Sequence, residues 1–241
     1  MKTKASTGAT SWRLWLLSGF VLLSAAGLYG LFSYLTSPSV LPIRSIQIKN
    51  EYRNLDKAGL QQALLKAIDG GFFSVDLQKV RNAALGLAWV AEAKVSRDWP
   101  DKLVVEVVEQ KPFARWGKDG LLNRYGQVFH PEKTWRKKLP LQFYGDEEKS
   151  GMLLAFFVKE QKRFRQLGMS IAELTLDKRG EWRIKLSDGV EIVVGTEKMD
   201  KRIQRWLSAY QVLTQINKPM SRVDLRYEQG FAVNWQAEDR G

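Results

Sequence analysis

Residues 14–35 constrain this chain more than any other stretch. They form 22 consecutive positions without a charged side chain, and a helix needs about 20 apolar residues to cross a bilayer. A helix packed on a soluble core keeps one polar face, but polar residues are nearly absent from every side of this run. It therefore reads as one membrane span, with 13 residues before it and 206 after it. The leading segment, residues 1–13, carries Lys2, Lys4 and Arg13 and no acid. Positive charge beside a span stays cytoplasmic, so the large C-terminal part is expected on the other side of the membrane. Trp12 and Trp15 at the inner edge, with Tyr29 and Tyr34 toward the outer edge, suit an aromatic belt. A cleaved signal peptide is the competing reading, because Ser24, Ala25 and Ala26 follow a short apolar stretch and resemble a cleavage site. The apolar run continues past them to Leu35, which favours an uncleaved anchor.

Composition narrows the chemistry of the outer part. The chain has no cysteine, which removes disulfides, thiolate catalysis and cysteine-ligated metals. His130 is the only histidine, so histidine-cluster metal sites are excluded. A triad built on His130 would need a nucleophile motif such as G-x-S-x-G, and none is present. No glycine-rich phosphate loop occurs. Adjacent carboxylates at Asp98 and Asp101, and at Glu147 and Glu148, have no sequence reason to face a shared substrate. No cofactor, metal or small-molecule substrate is expected. The net charge is +12, with basic runs at residues 133–138, 159–165 and 201–205. These could meet nucleic acid, anionic lipid or an acidic protein. An outer location takes nucleic acid out of reach, and solvated helix faces are the blander account of the same runs.

Periodicity divides the outer part in two. Residues 36–42 contain Pro38 and Pro42 and read as a stiff linker. Ile46 and Ile48 then alternate with polar residues, the period of a half-buried strand. Asp56 is placed to cap a helix carrying Leu60, Leu64, Leu65 and Ile68, which Gly70-Gly71 ends. A second helix after Asp76 puts Leu77, Val80, Ala84 and Leu87 on one face. Strands at 91–99 and 102–110 flank a Pro100-Asp101 turn. The order is β-α-α-β-β, a small α+β domain over residues 43–111.

Residues 112–236 have a different rhythm, and residues 237–241 form a short tail. Short strands are expected at 113–116, 121–123 and 127–129, then a helix over about 148–167. Strands at 171–177, 182–187 and 191–195 follow, the last two joined by a Ser187-Asp188-Gly189 turn. An amphipathic helix with Met199, Ile203, Trp206, Tyr210, Leu213 and Ile216 inside precedes two closing strands at 222–227 and 231–235. Their connection is Glu228-Gln229-Gly230.

Four strings in order resemble the bacterial FtsQ/DivIB family. They are W-V-A-E-A-K-V-S-R-D-W-P-D-K-L from Trp89, V-E-Q-K-P-F-A-R-W from Val108, G-Q-V-F from Gly126, and D-L-R-Y-E-Q-G-F-A-V-N-W from Asp224. Ala88 stands where the family often has proline. The resemblance implies an α+β chain with a single transmembrane helix, a POTRA domain, and a mixed β domain with two helices and a C-terminal edge strand. It implies a non-enzymatic scaffold of the divisome in the bacterial inner membrane at the division septum. The N-terminus would be cytoplasmic and the C-terminal region periplasmic. The β domain would hold the FtsB–FtsL pair, and the POTRA domain would contact other division proteins such as FtsK.

A last strand at a sheet edge would offer free backbone groups to a partner strand. Phe231, Val233 and Trp235 would then share one face, and Ala232 and Asn234 the other. Tyr227 and Trp235 are anchors of the kind enriched in binding hot spots, and Gly230 suits a tight turn. Arg226 completes the expected FtsB–FtsL surface. Arg179 matches a family arginine that pairs with a partner carboxylate. Val95 and Arg97, on the penultimate strand of the first domain, match a second family contact surface. Core packing is the blander account of Phe231, Val233, Trp235 and Val95, and a solvated turn that of Arg179. Rival functions are a POTRA-containing outer-membrane assembly or secretion factor, a membrane-anchored wall hydrolase and a membrane-tethered nucleic-acid binder. The first predicts repeated units and a barrel, the second a catalytic dyad or metal site, and the third rests on charge alone.

Overall fold

The computed structural model describes residues 11–36, 41–49, 53–132, 135, 137–216 and 218–236. Most of the expected cytoplasmic segment, the middle of the linker and the tail lie outside these residues. Helix α1 spans Ser11–Thr36. Its window Leu17–Tyr34 is long and apolar enough to cross a membrane, and none of it is buried. The chain divides into two compact units, residues 1–109 and 110–241.

In the first unit, β1 (Ser45–Lys49), α2 (Lys57–Ala67), α3 (Leu77–Leu85), β2 (Val90–Asp98) and β3 (Lys102–Glu109) follow in the expected order. Both helices start on aspartate caps. Asp56 accepts from the Ala58 and Gly59 amides, and Asp76 from those of Gln78 and Lys79. Such caps satisfy amides that have no partner inside the helix. The sheet order is β1-β3-β2. β1 runs parallel to β3, which makes β3 central. Leu103, Val104, Val105 and Val107 are consequently all buried. Leu103, Val105 and Val107 pack with Leu60, Leu64, Val80 and Ala84 from the helices. The Glu109 carboxylate accepts from the Arg53, Asn54 and Leu55 amides and fixes the approach to α2.

The second unit contains β4 (Pro112–Trp116), β5 (Gly120–Asn123), β6 (Val128–Phe129), β7 (Gln142–Tyr144), α4 (Ser150–Arg165), β8 (Ile171–Leu176), β9 (Trp182–Leu186), β10 (Glu191–Gly195), α5 (Met199–Thr214), β11 (Met220–Asp224) and β12 (Ala232–Trp235). Among the described residues the sheet order is β12-β11-β10-β9-β8-β7-β4-β5-β6. Three departures from expectation have physical causes. No strand is expected from the sequence at 142–144: three residues are too few to show a period, and β7 exists because β4 and β8 flank it, both parallel. β11 ends at Asp224, so Arg226 and Tyr227 lie in a loop rather than on a strand. Helix α5 ends at Thr214, and Ile216, expected inside, is exposed.

The core lies between the sheet and the two helices. Trp206 and Ile203 from α5, and Leu153 and Phe164 from α4, are fully buried against Phe143, Leu174, Ile184 and Ile192. Phe164 and Trp206 meet with ring centroids 5.5 Å apart, and Phe156 stacks on Trp182 at 4.2 Å. Burying side chains of this size contributes roughly 1.5–3 kcal/mol each.

Candidate partner-binding site

Strand β12 is the terminal strand of the nine-strand order and, among the described residues, is paired on one side only, antiparallel to β11. Its polarity can be read from two hydrogen bonds. The Asn234 carbonyl accepts from Ser221 Oγ at 3.0 Å, and the Gln236 amide donates to the Pro219 carbonyl at 2.9 Å. Even-numbered residues thus turn their backbone groups toward β11. Backbone groups alternate sides along a strand, so Val233 and Trp235 direct theirs to the open edge. Their side chains point elsewhere: Phe231, Val233 and Trp235 are partly buried and pack against the core. Asn234 is exposed and Ala232 partly so. The open part of this edge is therefore backbone, not an aromatic face.

The loop from β11 to β12 is held from below by helix α5. Arg205 Nη1 donates to the carbonyls of Tyr227 at 3.3 Å and Gly230 at 2.9 Å, and its Nη2 donates to Glu228 at 2.6 Å. Arg202 Nη1 donates to the Val194 carbonyl and its Nη2 to that of Arg226. These five carbonyls include four from a loop with no ladder to pair them. A Cβ on Gly195, where φ is +90°, would lie 2.6 Å from Arg202 Nη1. Only glycine tolerates both that backbone and that approach. Gly230 is different: a Cβ there meets nothing within 4 Å, and its φ is not positive. Here it supplies the carbonyl that Arg205 binds.

Arg226 is occupied within the chain. Its Nε and Nη2 grip Asp224, the closer contact at 2.6 Å, and its Nη1 reaches Glu181 at 3.2 Å. Glu181 also binds Arg183 at 2.6 Å. The hydrogen bonds from Arg226 hold the Asp224 carboxyl below the usual carboxylate range. The same bonds raise the Arg226 guanidinium further above its ordinary value. Tyr227, by contrast, is 58% exposed. The clamp thus orders the backbone while leaving this ring in solvent.

Arg179 lies in the exposed turn between β8 and β9, where its amide donates to Asp177 Oδ1. Among the described residues no acid pairs with its guanidinium. In the first unit Val95 packs against the core of that unit. Arg97 gives its Nε to the Phe72 carbonyl at 2.6 Å and its Nη2 to those of Phe73 and Val75. Its head group is committed to a loop.

The basic runs divide. In 201–205, the expectation of a merely solvated face fails for Arg202 and Arg205, which are carbonyl clamps. Each directly precedes a fully buried residue, Ile203 and Trp206, at the border of the apolar stripe, but that position does not name the distant carbonyls each one binds. In 159–165, Lys159 and Arg163 line an open groove of about 730 Å³ with Asp200, Lys201, Gln204 and Arg205. Lys159 pairs with Asp200, and Arg163 pairs with Glu160 at 2.8 Å. Burial pushes the Glu160 carboxyl up. In 133–138, residues 133, 134 and 136 lie outside the described residues; Lys137 stands 5.3 Å from the Trp135 ring centroid. His130 Nε2 contacts Glu147 Oε1 at 2.7 Å on an exposed surface. Among the described residues no group of three metal-ligating side chains converges.

Comparison with known proteins identifies the lineage. Residues 41–110 match the model for the POTRA domain, FtsQ-type, and residues 114–226 that for the cell division protein FtsQ/DivIB, C-terminal. The cell division protein FtsQ of Allochromatium vinosum is 37% identical over 224 residues, covering 92% of this chain and 90% of the relative. That of Shewanella oneidensis is 35% identical over 240 residues, covering 96% and 90%. That of Xanthomonas campestris is 35% identical over 199 residues, covering 82% and 71%. With an N-terminal helix that fits a single-pass membrane protein and two units matched in order, the chain belongs to the FtsQ/DivIB family of cell division proteins.

Proposed function

We propose that this protein is a non-catalytic scaffold of the divisome, anchored in the inner membrane with its N-terminus cytoplasmic and both folded units periplasmic. It acts at the division septum, where the second unit captures the FtsB–FtsL pair by adding a partner strand to β12. The POTRA unit contacts other division proteins, FtsK among them. The observation that carries this reading is the open backbone edge of β12 beside the clamped loop that exposes Tyr227. Strand addition draws affinity from main-chain hydrogen bonds and specificity from neighbouring side chains. Tyr227 supplies a large amphipathic anchor beside the edge. The unpaired guanidinium of Arg179 supplies a cation for a partner carboxylate. Arg226 works through the loop it orders, since its own charge is already matched. Tethering partner and scaffold to one membrane raises their effective concentration, so a short edge suffices.

Val233→Pro tests this most directly. Proline removes the outward amide of β12 while leaving the ladder to β11, a placement that edge strands tolerate. A partner carbonyl left unpaired costs about 1–3 kcal/mol, so co-purification of FtsB–FtsL should fall roughly tenfold or more with the fold retained. Asn234→Ala, which alters only a solvent-facing side chain, should leave capture unchanged. Normal capture by a correctly folded Val233→Pro protein would rule the edge out. A C-terminal alkaline phosphatase fusion checks the orientation: activity is expected, and an inactive fusion would place the C-terminus inside.

A further inference from the structure

The turn between β2 and β3 carries a tryptophan that the fold does not use. Trp99 is 76% exposed, and Phe73, in the loop between α2 and α3, is 47% exposed. Three sets of hydrogen bonds bring these two turns to the end of the unit where the chain arrives from helix α1. The Arg44 amide donates to the Asp101 carbonyl at 2.9 Å, and the Phe72 amide to the Leu41 carbonyl at 2.8 Å. Arg97, two residues before Trp99, binds the carbonyls of Phe72 and Phe73.

Covalent reach then limits how far this end can be from the bilayer. Thr36 ends α1, and Leu41 is five residues on. A chain spans at most about 3.6 Å per residue, so Leu41 lies within about 18 Å of the helix end, and Arg44 within about 29 Å. The apolar window of α1 closes at Tyr34, which puts the helix end at the outer membrane interface. Tryptophan is the side chain that favours that interface, with its ring at the headgroup level. The charges around the turn are Arg44, Arg97 and Lys102 against Asp98 and Asp101. Arg44 stands 3.8 Å from Asp101, with its side chain 77% exposed. The surplus is one positive charge, enough to permit an anionic surface but not to drive binding to it.

We propose that the Trp99 turn, with Phe73 beside it, is a second membrane contact of the POTRA unit, seating its near end in the phospholipid headgroup layer. This rests on α1 crossing the membrane, and it goes beyond the scaffold role. The contact fixes the unit at two points, the linker and the turn, and so restrains its swing about the linker.

The absence of cysteine makes the test clean. A single cysteine at Lys102→Cys, or at Glu92→Cys as the distal site, carries an environment-sensitive nitrobenzoxadiazole label. Seven residues of extended strand put about 23 Å between Glu92 and Trp99. The full chain is reconstituted in phosphatidylethanolamine–phosphatidylglycerol vesicles containing a headgroup nitroxide lipid. The label at residue 102 should be quenched and that at residue 92 should not. Trp99→Ser should lower the first to the level of the second, and Trp99→Phe should retain most of it. Equal quenching at both sites, or quenching at residue 102 that Trp99→Ser leaves unchanged, overturns the proposal. Flotation of the protein with the vesicles reads the α1 anchor separately, so loss of the anchor and loss of the turn contact are distinguishable.

Discussion

The two folded units solve the same local problem with arginine and obtain different results. In the POTRA unit Arg97 on β2 binds three carbonyls of the loop between α2 and α3. In the β domain Arg202 and Arg205 on α5 bind four carbonyls of the loop between β11 and β12, besides that of Val194. Buried or half-buried carbonyls outside a helix or ladder need donors, and a guanidinium offers five in one fixed plane. In the first unit the arginine holds together the end nearest the linker. In the second, the arginines hold the backbone that leads into the open edge and leave Tyr227 free. An arginine clamp is thus a device that closes one end of a fold in one place and a means of ordering the loop beside an open strand edge in the other.

The largest difference between the two clamps is expected at Arg205. Arg205→Ala strips three carbonyls of their donor and should cost the β domain about 2 kcal/mol, using the range for hydrogen bonds to charged groups. Capture of FtsB–FtsL should fall with it, and amide exchange should speed up in the loop before β12. Arg97→Ala should cost the POTRA unit about 1 kcal/mol, since that side chain is the more exposed. Capture by the β domain should stay intact, and faster exchange should be confined to the loop around Phe72. Equal loss of capture in both variants would erase the distinction drawn between the clamps.

This contrast also shows what a sequence can reveal. The helices around Leu60 and Leu64, and around Ile203 and Trp206, are legible because one face repeats. Asp56, Asp76 and Ser187-Asp188-Gly189 are legible because caps and turns act within a few residues. Arg97 and Arg205 are not, because their acceptors lie 22 to 25 residues away. The same limit hid the direction of the Val233 and Trp235 backbones, which depends on contacts of Ser221 and Pro219. Trp235 was legible as a large apolar residue, but whether it faced a partner or the core depended on the sheet. Strand β7 was illegible for a related reason, being made by its neighbours rather than by its own residues.

Smaller effects are expected from acid titration within the β domain. Asp224 is held below its ordinary value of 3.8 by Arg226. Its contribution to stability is present above that value and is lost as pH falls below it toward the folded-state value. Asp224→Asn should therefore flatten the acid limb of thermal unfolding and slacken the Arg226 end of the loop. Glu160 is raised above 4.5 by burial. Its contribution has the opposite sign: it is fully present below 4.5 and is lost as pH rises through the folded-state value. Glu160→Gln should remove that loss and leave capture alone. Asp200→Asn, which breaks an exposed pair with Lys159, should change stability by only about 0–1 kcal/mol.

The shortness of β12 has a consequence for self-association. A sheet edge open on one side is equally open to another copy of the same chain, and anchoring in one membrane raises the effective concentration at which copies meet. Among the described residues the strand has four residues and the opposite edge, β6, only two, so neither offers a long template for sheet growth. A brief edge thus has room for one short strand rather than a growing sheet, and under the proposed function the choice between a sister copy and a foreign chain falls to the side chains around Tyr227 rather than to the backbone.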